Sequence, residues 1–346
     1  MTISGLGPHG ERASAPEQIL LLPEDIVKAR AGGFRVAIVL HTFASDWAKQ
    51  QLSGMIGMIG MFGDCGVAVI DVVDCSFTPE VQIDALDRLI AEAPDAIVSL
   101  PVANAKVAAA HARVAAAGIK LVLLDNVPTG LLPGKDYTSL VSADNFGLGK
   151  IAAESLSPHV PEAGEVGVLG YEADFFATNE REIAFLKWMR INRPDVRLHV
   201  RRFPSLADAG RVTRALFDDH AAIAGLFVVW DTPSIAAAGT LTTMGRTVPM
   251  VTVDLGQDAA IGLAANNSLV AIAAQQPFRQ GETAASVTVS ALLGRLTPDW
   301  VALPGLAVTA ENVVECFQTV WRRPAPREVL QMLSLVSPAL QRAMPP

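Results

Sequence analysis

Two polar side chains follow an apolar run near the middle of the chain. Residues 121–124, with the sequence LVLL, predict a buried parallel strand, and Asp125 and Asn126 come directly after it. Ligands of α/β proteins bind at the carboxyl ends of the strands of a parallel sheet. We therefore expect a carboxylate and an amide to reach a ligand-binding crevice at this point.

The residues after this tip predict that the chain changes direction. A loop rich in proline and glycine precedes a short predicted strand at residues 139–142, and a helix pattern covers residues 149–156. A strand with a polar tip, a second short strand and a helix together indicate a chain that crosses from one lobe to another.

This stretch resembles a known family. The sequence LDN at residues 124–126 and the sequence SADNFGLGKIAA at residues 142–153 are similar to the lobe crossover of type I periplasmic binding proteins, the ribose-binding-protein-like class that serves sugar transporters. The same elements also fit the ligand-binding core of sugar-responsive repressors. The resemblance extends over about residues 34–320 through the order of the elements and several short motifs.

The order of the predicted elements indicates an α/β fold. Strands are predicted at residues 35–40, 67–73, 95–100 and 119–124, with helices between them, and a similar alternation follows from residue 165. Such repeats with short connections favour doubly wound parallel sheets. The resemblance implies two such lobes joined by a three-segment hinge.

The resemblance also implies the division of the chain. We expect an N-terminal extension at residues 1–33 and a C-terminal tail at residues 326–346. The N-terminal lobe is predicted to comprise residues 34–142 and 276–304, and the C-terminal lobe residues 143–275 and 305–325.

Side chains at the predicted strand tips, read with the resemblance, give a candidate ligand-binding set. The residues are Ser45, Trp47, Asp125, Asn126, Asn179, Arg181, Trp230, Asp231, Asp254 and Gln275. The carboxylate of Asp254 is expected to accept paired hydrogen bonds from adjacent hydroxyl groups of a ligand. Ribose binders tend to have arginine where Asn126 and Asn179 stand, so a ligand with a different hydroxyl pattern or ring form is expected.

Two of these residues are aromatic and have two interpretations. The apolar face of a sugar can stack on an indole ring, so Trp47 and Trp230 are expected to enclose a sugar from the two lobes. Alternatively, Trp47 packs only against the helix that follows it.

Two charged residues of the set also leave alternatives open. Asp231 either accepts a hydrogen bond from a ligand hydroxyl group or forms the N-cap of a predicted helix at residues 232–244. Arg181 either contacts the ligand or pairs with Glu182 or Asp174 at the surface.

Composition excludes several classes of function. The 346 residues are 51% hydrophobic and 18% charged, which describes a globular chain long enough for two cores. The net charge of −8 argues against binding to nucleic acid, since phosphate contacts need clustered basic residues. No apolar run reaches the length of a membrane span. The glycine-rich residues 50–63 are expected to form a helix packed closely on the core.

No motif indicates an enzyme. Nucleophile-elbow, phosphate-loop and zinc-protease patterns are missing, and the GxGxxG match at Gly5, Gly7 and Gly10 neither follows a strand nor opens a helix. Asp125 and Asp254 could act as acid and base, but no nucleophile or metal cluster accompanies them. We therefore expect no catalysis, no cofactor and no metal.

The resemblance implies a solute-binding protein of an ABC transporter whose lobes close on a neutral monosaccharide or sugar alcohol. The expected partner is a membrane permease, and the expected state is a periplasmic monomer. Residues 1–18 lack the basic start and apolar core of a secretion signal, which fits a mature chain or a cytoplasmic protein. The alternative function is the ligand-sensing module of a signalling or transcription-regulatory system with the same fold.

Overall fold

The computed structural model describes residues 3–57, 60–266 and 268–336. The strands are β1 (Arg35–Leu40), β2 (Ala68–Asp74), β3 (Ala96–Ser99), β4 (Lys120–Leu124), β5 (Ser139–Ala143), β6 (Glu165–Tyr171), β7 (Arg197–Phe203), β8 (Ile223–Val228), β9 (Met250–Val253), β10 (Leu269–Ala274), β11 (Trp300–Leu303) and β12 (Leu306–Val308). The helices are α1 (Pro23–Gly32), α2 (Asp46–Ile56), α3 (Met61–Asp64), α4 (Pro79–Glu92), α5 (Ala108–Ala116), α6 (Asn145–Leu156), α7 (Phe176–Asn192), α8 (Ala209–Asp219), α9 (Asp231–Thr243), α10 (Gln257–Ala264), α11 (Pro277–Leu292), α12 (Val313–Trp321) and α13 (Arg327–Val336).

The chain forms two compact units. Unit 1 comprises residues 1–144, 174–177 and 277–303, and unit 2 comprises residues 145–173, 178–276 and 304–346. The described helices include none that is long and apolar enough to cross a membrane.

Each unit is built on one six-stranded sheet. The strand order is β11-β5-β4-β3-β1-β2 in unit 1 and β12-β10-β9-β8-β6-β7 in unit 2. All pairings are parallel except that of β10 with β12. The predicted architecture of two doubly wound parallel-sheet lobes is confirmed.

Alternate residues of β1 enter different cores, because successive side chains of a strand point to opposite faces. Val36, Ile38 and Leu40 belong to a cluster that also contains Val287 of α11. Ala37 and Val39 belong to a second cluster on the other face, with residues of α4 and α5. The sheet of unit 1 is therefore buried on both sides, as a continuous apolar run such as RVAIVL predicts.

Two predicted helices have different bounds in the structure. The helix expected over residues 50–63 is interrupted, since α2 ends at Ile56 and a separate turn, α3, begins at Met61. The sequence predicts a helix over residues 103–117 with Asn104 near its start, where it would cap the helix or reach a ligand. The helix starts only at Ala108, and its N-cap residue Val107 makes no side-chain cap. Asn104 therefore does not cap this helix, and the capping interpretation of this residue is wrong.

Two glycines allow α2 and α11 of unit 1 to pack closely. A Cβ atom on Gly54 would lie 2.0 Å from the carbonyl oxygen of Phe278, and one on Gly281 would lie 2.1 Å from that of Gln51. Both distances are shorter than any real contact, so each helix needs a residue without a side chain where its neighbour crosses. The close approach expected for this glycine-rich helix is thus present.

Replacing Gly54 by alanine is expected to destabilise unit 1. The new methyl group would overlap backbone atoms that cannot rotate away, and overpacking of this kind costs about 1–3 kcal/mol. Urea unfolding should show that the free energy of unfolding decreases by this amount or more. The matched control is Gly262→Ala in α10, where an added Cβ meets no atom within 4 Å. Equal stability of Gly54→Ala and the wild-type protein would contradict the packing.

Candidate functional site

Asp125 and Asp254 occupy equivalent positions in the two units. Asp125 follows β4 and Asp254 follows β9, each the third strand in its sheet order. Both have left-handed backbone conformations, with φ angles of 53° and 75°. In each case the backbone N–H donates to the neighbouring strand, to Val141 at 3.2 Å and to Ala273 at 3.1 Å. Residues other than glycine adopt this conformation rarely, and such strain is often found at functional sites.

Asp254 belongs to a buried polar cluster of unit 2. Its Oδ1 atom accepts a hydrogen bond of 2.6 Å from Nε2 of Gln275, and its Oδ2 atom lies 3.6 Å from a guanidinium nitrogen of Arg181. Asp254 is 8% exposed and Arg181 only 4%. Burial raises the pKa of Asp254, although the cation of Arg181 partly offsets this effect. Three residues of the candidate set therefore meet in one unit.

Further bonds fix the guanidinium group of Arg181. Its Nε atom donates to Oδ1 of Asn145 at 2.9 Å, and a terminal nitrogen donates to the carbonyl oxygen of Val229 at 3.2 Å. The alternative that Arg181 pairs with acidic neighbours at the surface is wrong. Arg181 lies inside unit 2, and the carboxylate of Glu182 pairs instead with Arg202.

Asp231 is the first residue of α9, and the N-cap position belongs to Trp230. The N-cap alternative for Asp231 is therefore wrong. Its carboxylate accepts a hydrogen bond from the backbone N–H of Gly256 at 3.0 Å and lies 3.3 Å from the hydroxyl group of Thr232. Burial, reinforced by the negative charge of Asp254, raises the pKa of Asp231.

Trp230 lies against two aromatic rings that end neighbouring strands of unit 2. Its ring centroid is 5.2 Å from that of Tyr171 at the end of β6 and 5.2 Å from that of Phe203 at the end of β7. The ring of Tyr171 meets it edge to face, a favourable arrangement that restricts the orientation of the indole.

In unit 1, the carboxyl group of Asp125 accepts a hydrogen bond from a side-chain amide, as that of Asp254 does in unit 2. Nε2 of Gln280 in α11 donates to Oδ1 of Asp125 at 3.0 Å and lies 3.2 Å from the carbonyl oxygen of Val141. The amide oxygen of Asn126 accepts a hydrogen bond of 3.4 Å from the backbone N–H of Ala177. Asp125, Asn126 and Gln280 are all buried.

Ser45 and Trp47 stand at the start of α2. Ser45 is the N-cap residue, and its hydroxyl oxygen accepts a hydrogen bond from the backbone N–H of Ala48 at 3.2 Å. Trp47 is half-buried and packs against the core of unit 1. The indole N–H of Trp47 is nevertheless buried and has no acceptor among the described residues.

Two polar atoms of residues that follow β1 and β3 are also buried and lack a hydrogen-bond partner in the part of the chain that the structure describes. The ring of His41 lies 5.7 Å from that of Trp47, and burial lowers the pKa of His41 to about 4. Its Nδ1 atom and the Oδ1 atom of Asn104 are buried without a hydrogen-bond partner among the described residues. His41 follows β1, and Asn104 follows the adjacent strand β3, so both stand at the carboxyl edge of the sheet.

Asn179 lies in the first turn of α7 and is half-buried. Ligand contact remains a prediction for it and for the other nine residues of the set. Sequence reasoning did not select Gln280, Tyr171, Phe203, His41 or Asn104 for this set. Phe203 ends the strand predicted at residues 196–203, and Tyr171 follows the strand predicted at residues 165–169, which was a usable signal. Gln280 is distant in sequence from Asp125, and no local pattern pointed to it.

Comparison with protein families gives one match. Residues 36–296 match the family described as "Periplasmic binding protein domain". No curated protein sequence matches the chain.

Solved structures share the fold at low sequence identity. An ABC transporter solute-binding protein from Agrobacterium vitis, bound with alpha-D-tagatopyranose, is 21% identical, with a TM-score of 0.76 over 85% of this chain and 99% of that chain. A second protein from the same organism, with bound allitol, is 23% identical, with a TM-score of 0.74 over 83% and 99%. One from Mycobacterium smegmatis with bound glycerol is 20% identical, with a TM-score of 0.72 over 81% and 96%.

Replacing Arg181 by methionine is expected to destabilise unit 2, because it leaves the buried carboxyl group of Asp254 without its cation. Breaking a buried ion pair from one side costs up to about 3–5 kcal/mol. The double variant Arg181→Met/Asp254→Asn should recover part of this loss, since no uncompensated charge remains. Urea unfolding of both single variants and the double variant measures the coupling, and strictly additive losses would contradict it.

The raised pKa of Asp231 predicts a pH-dependent stability. A carboxyl group whose pKa is higher in the folded state contributes fully at low pH, and this contribution is lost as pH rises through the folded pKa. Asp231→Asn should therefore be more stable relative to wild type at pH 8 than at pH 4. The free energy of unfolding of the variant relative to wild type should change between these pH values by about 1.4 kcal/mol for each pKa unit by which folding raises the pKa of Asp231.

Thermal and urea unfolding at both pH values measure this difference for Asp231→Asn. The control is Asp258→Asn, at an exposed position of the neighbouring helix α10. A difference between Asp231→Asn and wild type that is unchanged with pH would contradict the assignment.

Proposed function

This chain belongs to the family of periplasmic binding protein domains, and we propose that it is the solute-binding protein of an ABC transporter for a neutral monosaccharide or sugar alcohol. The family resemblance of residues 121–156 agrees with the family match. The proposal of a sugar or polyol rests on the polar clusters that follow β4 and β9.

The arrangement around Asp254 is the observation that supports the proposal most strongly. Gln275 and Arg181 hold the carboxyl group in one orientation, and the Oε1 atom of Gln275 is buried without a partner among the described residues. A carboxylate beside an amide suits adjacent hydroxyl groups, which donate to the first and can donate to the second.

The charges of this cluster favour a neutral ligand. The cation of Arg181 lies next to Asp254 and favours the charged form of its carboxyl group, whereas burial and the charge of Asp254 raise the pKa of Asp231 and favour its uncharged form. An anionic or cationic ligand would disturb a group of side chains whose charges already balance.

The aromatic group of unit 2 fits the apolar part of a sugar. Tyr171 and Phe203 hold the ring of Trp230 beside the end of β8. The C–H groups of a sugar or polyol can pack on such a ring while its hydroxyl groups meet the polar side chains.

Unit 1 offers further polar groups of the same kind. A buried donor or acceptor without a partner costs about 1–3 kcal/mol, and Trp47, His41 and Asn104 each have such an atom. We propose that these atoms bind hydroxyl groups of the ligand, or water when no ligand is bound. Ser45, Asp125, Asn126 and Asn179 complete the proposed binding set.

We further propose binding without chemical conversion, by a periplasmic monomer that delivers its ligand to a membrane permease. The similarity of fold to the A. vitis protein with bound allitol supports the proposal that the ligand is a polyol. No feature of residues 3–57, 60–266 and 268–336 favours the ligand-sensing alternative.

A screen of pentoses, hexoses and polyols by thermal shift tests the proposal. A ligand at a hundredfold excess over its Kd should add about 2.7 kcal/mol to the free energy of unfolding. Asp254→Asn and Asp125→Asn should each weaken binding at least tenfold, since each replaces a charged acceptor by a neutral one.

The control for this screen is Asp219→Asn, at an exposed position at the end of α8, which should bind like the wild-type protein. NMR of the recovered ligand should show it chemically unchanged. Protein freed of carried-over ligand that shifts with no sugar or polyol would overturn the proposal, and turnover of the ligand would overturn its non-enzymatic part.

A further inference from the structure

Three side chains that can bind a metal ion meet at the other end of the strands of unit 2. Glu165 is the first residue of β6, His199 lies near the start of β7, and His220 follows α8. One ligand atom from each lies within 4.8 Å of the other two. Asp254, by contrast, follows the carboxyl end of a strand, so this group is separate from the proposed solute-binding residues.

The three side chains are already arranged with respect to one another. Nε2 of His199 lies 3.0 Å from Oε2 of Glu165. The rings of His199 and His220 are stacked, with centroids 3.7 Å apart and planes inclined by 23°. The three side chains are only partly buried, so an ion from solution can reach them.

From this geometry we propose that Glu165, His199 and His220 bind a divalent transition-metal ion such as Zn²⁺. Two imidazole nitrogens and a carboxylate oxygen form a ligand set that zinc uses, with water in the fourth position. Bond lengths of about 2.0–2.2 Å place tetrahedral ligand atoms roughly 3.3–3.5 Å apart. Glu165 and His199, 3.0 Å apart, are already closer than this, whereas the imidazole of His220 must rotate out of its stack on His199 so that its nitrogen can face the same ion.

One basic residue opposes the ion in the metal-free protein. A guanidinium nitrogen of Arg197 lies 3.5 Å from Oε1 of Glu165, and its side chain is 78% exposed. Arg197 and His199 are two residues apart on β7, so their side chains share a face of the sheet. Arg197 therefore neutralises the charge of the Glu165 carboxylate in the metal-free protein. When a metal ion binds, the side chain of Arg197 can move into solvent.

A bound ion would connect three elements of unit 2. β7 is an edge strand of its sheet and pairs with β6 alone among the described strands, and His220 lies between α8 and the strand that follows. Coordination would link this edge strand to β6 and to the segment that precedes β8. We therefore expect the metal to stabilise unit 2 without affecting solute binding.

Calorimetric titration of the untagged full chain with zinc chloride tests the proposal. We expect one equivalent to bind, with Kd increased at least tenfold in His199→Ala, His220→Ala and Glu165→Gln. Arg197→Gln should bind more tightly, because the competing cation is gone, and this result would not follow from a general loss of structure. Circular dichroism verifies that each variant is folded.

His159→Ala is the matched control, since His159 is an exposed histidine of unit 2 outside the cluster. Histidine side-chain NMR signals should shift for His199 and His220 and not for His159 when zinc is added. The proposal is overturned if no equivalent binds, if the cluster variants bind like wild type, or if His159→Ala weakens binding equally. Asp254→Asn should bind zinc unchanged, which separates this test from that of solute binding.

Discussion

A buried carboxyl group needs hydrogen-bond donors around it, and this constraint organises the polar residues of both units. Asp125 and Asp254 follow the third strand of their sheets, in the left-handed conformation, and each accepts a hydrogen bond from a glutamine side chain. Without these donors the desolvation of the carboxyl groups would oppose folding. The polar groups are therefore held in place before any ligand arrives.

The side chains that donate to the buried carboxyl group come from different elements in the two units. In unit 1 the donor, Gln280, comes from α11, whereas in unit 2 Gln275 follows β10 and Arg181 comes from α7. In unit 2 a buried cation, Arg181, lies beside the aspartate. A preorganised group of this kind binds a ligand without losing free energy to side-chain ordering, and it restricts which hydroxyl positions can be satisfied.

The proposed solute-binding residues and the proposed metal ligands of unit 2 stand at opposite ends of its strands. Asp254 and the aromatic group around Trp230 follow carboxyl ends, where parallel sheets bind ligands. Glu165 and His199 stand near the amino ends, where changes leave the proposed solute-binding residues in place. The tight crossing of α2 and α11 at Gly54 and Gly281 has a comparable supporting role in unit 1.

The sequence by itself determined the fold class and the tips of the strands. Continuous apolar runs such as RVAIVL and LVLL are typical of strands that are covered on both faces of a parallel sheet. The polar residue after each run then stands at the carboxyl edge of that sheet. Asp125 is predicted at such a tip for this reason, and Asp254 and Trp230 are predicted from the ends of their strands together with the family resemblance. The helix starts were less certain, because α5 begins several residues after the apolar pattern does.

Only the tertiary structure decided which side chains meet. The burial of Arg181 against Asp254, the support of Asp125 by Gln280 and the approach of His199 to His220 join residues from different elements. Local patterns carry no information about such partners, since periodicity defines the face of an element and leaves its neighbour open. The sequence thus determines which polar residues follow the strands. Packing decides which of these side chains form hydrogen bonds within the protein and which remain available to a ligand.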